Sequence, residues 1–382
     1  MARRGLRQLV PRQARAQHHA LARFHVPVPQ THPHARPGEL RRHPRRRAGR
    51  HPGGGRVTAA APTTATASTV WRRVAAVRTP DGAQLHATVD GSDDAPVTLV
   101  LAHGWTLAQA AWDDVADLLA PRIAAGDLRL VRYDQRGHGR STWGSAPDVA
   151  PISIDQLGQD LGEVLEQLAP DGPVVLGGHS MGGMTIMALA AARPELFGDR
   201  VRGVALVSTS AGDLSSDPRS AAGRMARLKP GMLNALLGGA RVLERLRQLL
   251  PPDHPRHQKM VRGLLYGADA TDEMVATGAR IMHASTVRSF IAFMPALDDH
   301  DKREELTALT QVPVEIFVGD SDQLTPGRHS RQLAEALPDA QLHVVERTGH
   351  MLTQERPQLV VDAIERLLTA ATAERAVSRM GR

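Results

Sequence analysis

From Val70 onward, short runs of apolar and β-branched residues alternate with segments whose apolar positions recur three and four places apart. The runs have the period of strands and the segments that of amphipathic helices. Strands are predicted at 73–78, 85–89, 97–102, 128–133, 174–177, 201–207, 314–318 and 341–345. The middle runs are apolar at nearly every position, as expected of strands covered on both faces. Helices are predicted at 112–123, 154–168, 181–192, 328–337 and 358–370. Ser153, with Gln156 three places on, forms a capping box for the second of these; Thr325 before Pro326 supplies an N-cap and a first-turn proline for the fourth. Such alternation makes an α/β fold, a mostly parallel eight-stranded sheet flanked by helices.

The alternation breaks between residues 213 and 300, where the pattern is helical, contains Met, and is interrupted by Pro230, Pro251, Pro252 and Pro255. This stretch reads as a helical cap (213–300) inserted into a core made of 70–212 and 301–372, with 373–382 a disordered tail. Residues 1–69 are rich in Arg, His, Pro and Gly and lack an apolar period. They can bury too little surface to offset the entropy of ordering, so a disordered basic tail is expected. A linker, or an over-extended start of the reading frame, suits this tail better than a nucleic-acid arm or a metal tract on His18, His19, His32 and His34. No aromatic or helical pattern organises its charge.

Composition narrows the classes. The formal charge of +7 is unevenly spread: residues 1–56 hold fourteen arginines and one acid, Glu39, for +13, which leaves −6 on residues 57–382. The core is mildly acidic, and no nucleic acid is expected to bind it. The absence of cysteine excludes disulfides, thiolate metal sites and cysteine nucleophiles. No apolar run is long enough to span a bilayer. Arg3-Arg4 is followed by Pro11, Arg12 and Arg15 where a twin-arginine signal would place its apolar region, so a cytoplasmic location is expected. No nucleotide, flavin or metal motif is visible, and neither a cofactor nor a metal is expected; the oligomeric state is not legible.

Gly178-His179-Ser180-Met181-Gly182 fits G-x-S-x-G between a predicted strand and a predicted helix. That is the context of a nucleophile elbow, in which the serine occupies a strained turn and small residues two places either side permit close approach. A serine hydroxyl is a weak nucleophile near neutral pH and needs a base, itself held in one tautomer by an acid. Of eighteen histidines, His350 alone stands in a Gly-His loop after the last predicted strand, on the sheet edge where Ser180 also lies. The acid is sought between them in the chain, and Gly319-Asp320-Ser321-Asp322 ends a predicted strand. Asp322 is preferred because it sits further out on the loop, while Asp320 is placed to cap the turn. Asp298, Asp299 and Asp301 read as a solvated cluster at the end of the cap. An oxyanion hole would be formed by the backbone N–H groups of Met181 and of Trp105, the latter in His103-Gly104-Trp105 after the strand at 97–102.

In this order and spacing, and with Tyr133-Asp134-Gln135-Arg136-Gly137-His138-Gly139-Arg140-Ser141 among them, these blocks resemble the α/β-hydrolase family with an inserted lid over residues 72–370. The family pattern G-x-x-D places the acid at its last residue, in agreement with Asp322, and makes Asp134 and Arg136 structural. Relatives with aspartate at the elbow, the haloalkane dehalogenases and epoxide hydrolases, are disfavoured by Ser180. Carbon–carbon bond hydrolases share the serine but extend the His-Gly block with glycines and a proline, where this chain has Trp105-Thr106-Leu107. The resemblance therefore implies an enzyme, a serine hydrolase of a small apolar carboxylic ester or lactone that works through an acyl-enzyme. Carbon–carbon bond hydrolysis and cofactor-free haloperoxidase or perhydrolase chemistry are the alternatives, and a non-catalytic ligand-binding protein is the alternative of another class. Met282, Phe290, Phe293, Met294 and Leu297 give the cap an apolar helix face, expected either to bind substrate or to be core.

Overall fold

The computed structural model describes residues 72–144, 152–216, 235, 237–249 and 251–380, with side chains as far as 373. The expected tail at 1–69 lies outside the described residues. Eight strands form one sheet: β1 (Arg72–Arg78), β2 (Gln84–Asp90), β3 (Thr98–Ala102), β4 (Arg129–Tyr133), β5 (Val174–His179), β6 (Val201–Val207), β7 (Val314–Gly319) and β8 (Gln341–Val345). Their order is β1-β2-β4-β3-β5-β6-β7-β8. The β1–β2 and β2–β4 pairs are antiparallel, and all others are parallel.

The described helices are α1 (Asp113–Ala124), α2 (Ile154–Leu168), α3 (Met181–Ala192), α4 (Ala240–Gln248), α5 (Pro255–Leu265), α6 (Asp272–Ala284), α7 (Val287–Asp299), α8 (Gly327–Ala336), α9 (Leu352–Glu355) and α10 (Pro357–Met380). Because side chains alternate across a strand, the central strands feed two cores. Leu99 and Leu101 pack with Leu119 of α1 and with Ile364 and Leu367 of α10. Val100 and Ala102, facing the other way, pack with Leu157 and Leu161 of α2 and Met184 of α3.

Local chemistry explains the two helices that flank the elbow. Ser153 Oγ accepts the Gln156 N–H at 3.1 Å, a cap worth about 1 kcal/mol. Leu157, Leu161, Val164, Leu165 and Leu168 then form one buried stripe on α2, each side chain contributing roughly 1.5–3 kcal/mol of burial. In α3 every residue from Met181 to Ala190 is buried, so the helix behind the elbow is apolar on all sides, as a central helix should be. Edge strand β1 instead alternates buried with exposed and carries Arg72 and Arg73, which discourage further strand pairing.

The structure departs from the sequence expectations at two helix ends. Thr325 does not cap α8; its hydroxyl turns away to Asp322, and Pro326 stands at the N-cap without a side-chain bond. The last helix continues to Met380, into the expected tail at 373–382, because residues 371–380 contain neither Gly nor Pro and include three Ala and two Arg, good helix formers. Between β6 and β7 the chain places α4 to α7. Phe293 and Ala296 of α7 enter the core beside α2 and α3, whereas α5 and α6 build a cluster of their own with Leu107, Ala111 and Met351. Among the described residues no helix is long and apolar enough to cross a membrane.

Candidate active site

Since β3, β5, β7 and β8 run parallel, the loops that leave their C-terminal ends gather along one rim. Ser180 ends β5 and opens α3 with φ 53° and ψ −118°, a strained conformation that lifts the side chain off the sheet. Two hydrogen bonds enforce the turn: Ser180 N–H donates to Val207 O at 2.9 Å, and Thr209 Oγ1 donates to Ser180 O at 2.7 Å. Position 182 must be glycine because a Cβ there would press into Ala102 O of the neighbouring strand.

At the end of β7, Asp322 divides its two oxygens between tasks. Oδ1 accepts the N–H groups of Leu324 and Thr325, both at 2.9 Å. Oδ2 accepts from Thr325 Oγ1 at 2.8 Å and from His350 Nδ1 at 2.8 Å. Burial pushes the Asp322 carboxyl upward, but the charge and hydrogen bond of His350 and the bonds from Thr325 outweigh it, and the group is held below its ordinary range. Asp320, by contrast, is exposed and accepts only from Ser321 Oγ at 2.8 Å among side chains. Turn capping, expected of Asp320, is done by Asp322.

With Nδ1–H committed to Asp322, the other ring nitrogen of His350 is the lone-pair nitrogen. It has no hydrogen-bond partner among the described residues, and neither has the Ser180 hydroxyl. The elbow and the His350 loop meet through His179, whose Nε2–H donates to His350 O at 2.9 Å with ring centroids 4.9 Å apart. Burial, and then the nearby His350, push the His179 pKa down to about 3, which keeps that ring neutral.

The loop after β3 closes the opposite side. A Cβ placed on Gly104 would stand 3.1 Å from Ser180 Cβ, so the N–H that follows at Trp105 lies beside the elbow. Among the described residues neither the Trp105 nor the Met181 backbone N–H donates a hydrogen bond. His103 stiffens this loop: its Nδ1–H donates to Gly104 O at 2.7 Å and its Nε2 accepts the Gln135 N–H at 2.9 Å. Burial depresses the His103 pKa, as a neutral ring that both donates and accepts requires. The Trp105 indole donates to Ser289 O at 3.3 Å and stacks on Phe290 with centroids 4.7 Å apart.

Of the five apolar candidates between 282 and 297, two reach a cavity and three do not, Leu297 packing against the main core. Met282 and Phe290 line an apolar cavity of about 310 Å³ with Thr106, Met260, Val287 and others. Phe293 is fully buried against His138 and Trp143, with centroids 4.8 and 5.8 Å away; Met294 is half-buried and outside the lining. Ser180, Asp322 and His350 do not line this cavity, and Thr106, next to Trp105, is where it touches the rim. Among the described residues no group of three or more His, Asp or Glu side chains converges as metal ligands would. Sequence reasoning missed Thr325, His179 and Gln135 as supports of the site. Only Gln135 carried a signal, as the residue between Asp134 and Arg136 in the turn after β4.

Comparison with known proteins places the chain. It is 35% identical over 111 residues to the probable oxidoreductase EphD of Mycobacterium tuberculosis, but that match spans 29% of this chain and only 17% of the relative. It is 26% identical over 276 residues to Esterase Rv0045c of Mycobacterium tuberculosis, covering 71% of this chain and 82% of the esterase. The crystal structure of the enol-lactonase from Burkholderia xenovorans LB400 covers 78% of this chain and 100% of its own, at 25% identity with a TM-score of 0.56. The model of the alpha/beta hydrolase family matches residues 99–363, more than half of the sequence; with its eight-stranded, mostly parallel sheet and serine elbow, the chain belongs to that family of enzymes.

Proposed function

We propose that the protein hydrolyses a small apolar carboxylic ester or lactone through an acyl-enzyme on Ser180. The observation that carries this reading is the 2.8 Å bond between Asp322 Oδ2 and His350 Nδ1, which leaves Nε2 free to act as a base beside the strained elbow. His350 Nε2 takes the proton of Ser180 Oγ as Oγ bonds to the substrate carbonyl carbon. The N–H groups of Met181 and Trp105 hold the resulting oxyanion. The tetrahedral species collapses, His350 returns the proton to the leaving alkoxide, and the acyl group stays on Ser180. Water, deprotonated by His350, then attacks the ester; the second tetrahedral species collapses by breaking the bond from the acyl carbon to Ser180 Oγ, His350 returns the proton to Oγ, and the acid departs. In the apo state the serine–imidazole bond is commonly long and tightens when substrate binds.

The similarity to a named esterase and to a named enol-lactonase supports the ester or lactone class. Met282 and Phe290, in the apolar cavity, are assigned to the acyl or alcohol group, and Phe293 and Met294 to holding α7 behind them. The reading is tested with short- and medium-chain nitrophenyl esters and a lactone panel. Ser180→Ala is expected to lower kcat by on the order of 10⁴-fold or more with the circular dichroism spectrum unchanged; equal rates in both proteins would remove Ser180 from the chemistry. The expected cytoplasmic location remains part of this proposal.

A further inference from the structure

Directly after His350, the single turn α9 carries three polar side chains that are almost wholly buried: Thr353, Gln354 and Glu355. Thr353 reaches the segment before α1, whereas Gln354 and Glu355 both reach the turn after α5. Thr353 Oγ1 donates to Ala111 O at 3.0 Å, behind the Trp105 loop. Gln354 Oε1 accepts from the Tyr266 hydroxyl at 2.5 Å. Glu355 accepts two backbone N–H groups, that of Gly349 on Oε1 at 2.9 Å and that of Gly267 on Oε2 at 2.8 Å. Gly349 precedes His350, and Gly267 belongs to the cap turn after α5. The same two segments also touch directly, since the N–H groups of His350 and Met351 donate to Leu265 O at 2.7 and 3.1 Å.

A carboxylate is a costly side chain in such a place. Glu355 is 3% exposed. Its neighbour Arg356 pairs with Asp269 instead, and among the described residues Glu355 has no ion-pair partner. Burial accordingly pushes its carboxyl above the ordinary range, against the pull of the two N–H groups. The amide of the same shape, glutamine, offers one accepting oxygen and one NH₂, and can hold only one of the two N–H groups. Only the acid satisfies both.

We propose that Glu355 is a positioning residue for the reaction. By binding Gly349 with one oxygen and Gly267 with the other, it fixes the backbone of His350 against the cap, so that the ring is held where it can meet Asp322 and the Ser180 hydroxyl together. The cap is thereby a fixed wall of the catalytic site on this side. The inference rests on His350 being the base of the proposed mechanism.

The test compares wild type, Glu355→Gln and Glu355→Ala for kcat and KM on a nitrophenyl ester, for the rate of Ser180 labelling by a fluorophosphonate, and for folding by near-ultraviolet circular dichroism. Glu355→Gln, close in shape and expected to fold, should lower kcat and the labelling rate about 10- to 100-fold, as a displaced catalytic group does, with KM within about 3-fold. Glu355→Ala should lose at least as much. A folded Glu355→Gln that turns over and labels within about 2-fold of wild type overturns the proposal, because the carboxylate would then serve stability alone. If wild type itself takes no label on Ser180, the serine mechanism fails and this inference with it; if wild type labels and the variants label equally, only this inference fails.

Discussion

The turn after β4 and the loops after β7 and β8 bury charge at one rim in different ways. In the first, Arg136 donates to Asp160 at 2.6 and 2.8 Å and to Asp81 at 2.5 and 3.0 Å. Asp134 accepts the N–H groups of Gln109 at 2.8 Å and Arg140 at 3.0 Å. Its carboxylates and guanidinium are engaged with one another or with backbone. In the second, Asp322 is just as fully engaged, but the ring it holds and the hydroxyl of Ser180 are not. Charge that is fully paired makes a strut, whereas charge that orients a group left unpaired makes a reagent.

Substitutions in the two regions should separate these roles. Asp322→Asn keeps the shape but removes the acceptor that holds Nδ1–H, and kcat on a nitrophenyl ester should fall by about 10⁴-fold. A loss under about tenfold would make Asp322 a turn residue and erase the contrast. Arg136→Met should do the reverse. It strands Asp160, only 2% exposed, without its partner, so urea unfolding should show a loss of about 3–5 kcal/mol while the folded enzyme keeps kcat within about 3-fold. A smaller effect comes from the buried histidines beside both regions. His138 and His179 have pKa values pushed down to about 3 from 6.5, in each case mainly by burial. Between those limits the unfolded chain binds a proton that the folded chain refuses, so stability falls as pH drops below 6.5. Each ring contributes a loss of about 1.4 kcal/mol per pH unit. Urea melts in steps from about pH 7 to 5 check this, and a His138→Gln variant should lower the slope by one proton.

Much of the fold was legible because its signal is periodic. All eight strands lie where the sequence pattern predicted them, β6 and β8 with the expected limits; in β3 to β7 the signal is strong because burial on both faces demands apolar runs. The G-x-S-x-G block and the Gly-His loop could be placed on one edge from strand direction alone. What failed was what periodicity does not encode. Thr325 before Pro326 looks like a helix cap, whose oxygen would accept a first-turn N–H, but an anionic oxygen of Asp322 lies within reach and the hydroxyl donates to it instead. The apolar stripe of α7 could not say which residues face a cavity: Phe290 does, and Phe293 is sealed against His138. Glu355 left no trace in the sequence, because its partners are backbone N–H groups 6 and 88 residues away.

Turnover on Ser180 requires its activation by His350. Intact-mass and peptide analysis after brief exposure to a fluorophosphonate, for wild type and a His350→Ala variant of unchanged fold, tests this most directly. The expected result is a single adduct on Ser180 in wild type, formed at least about 10³-fold faster than in the variant. Equal labelling of both proteins, or an adduct on another residue, would contradict it.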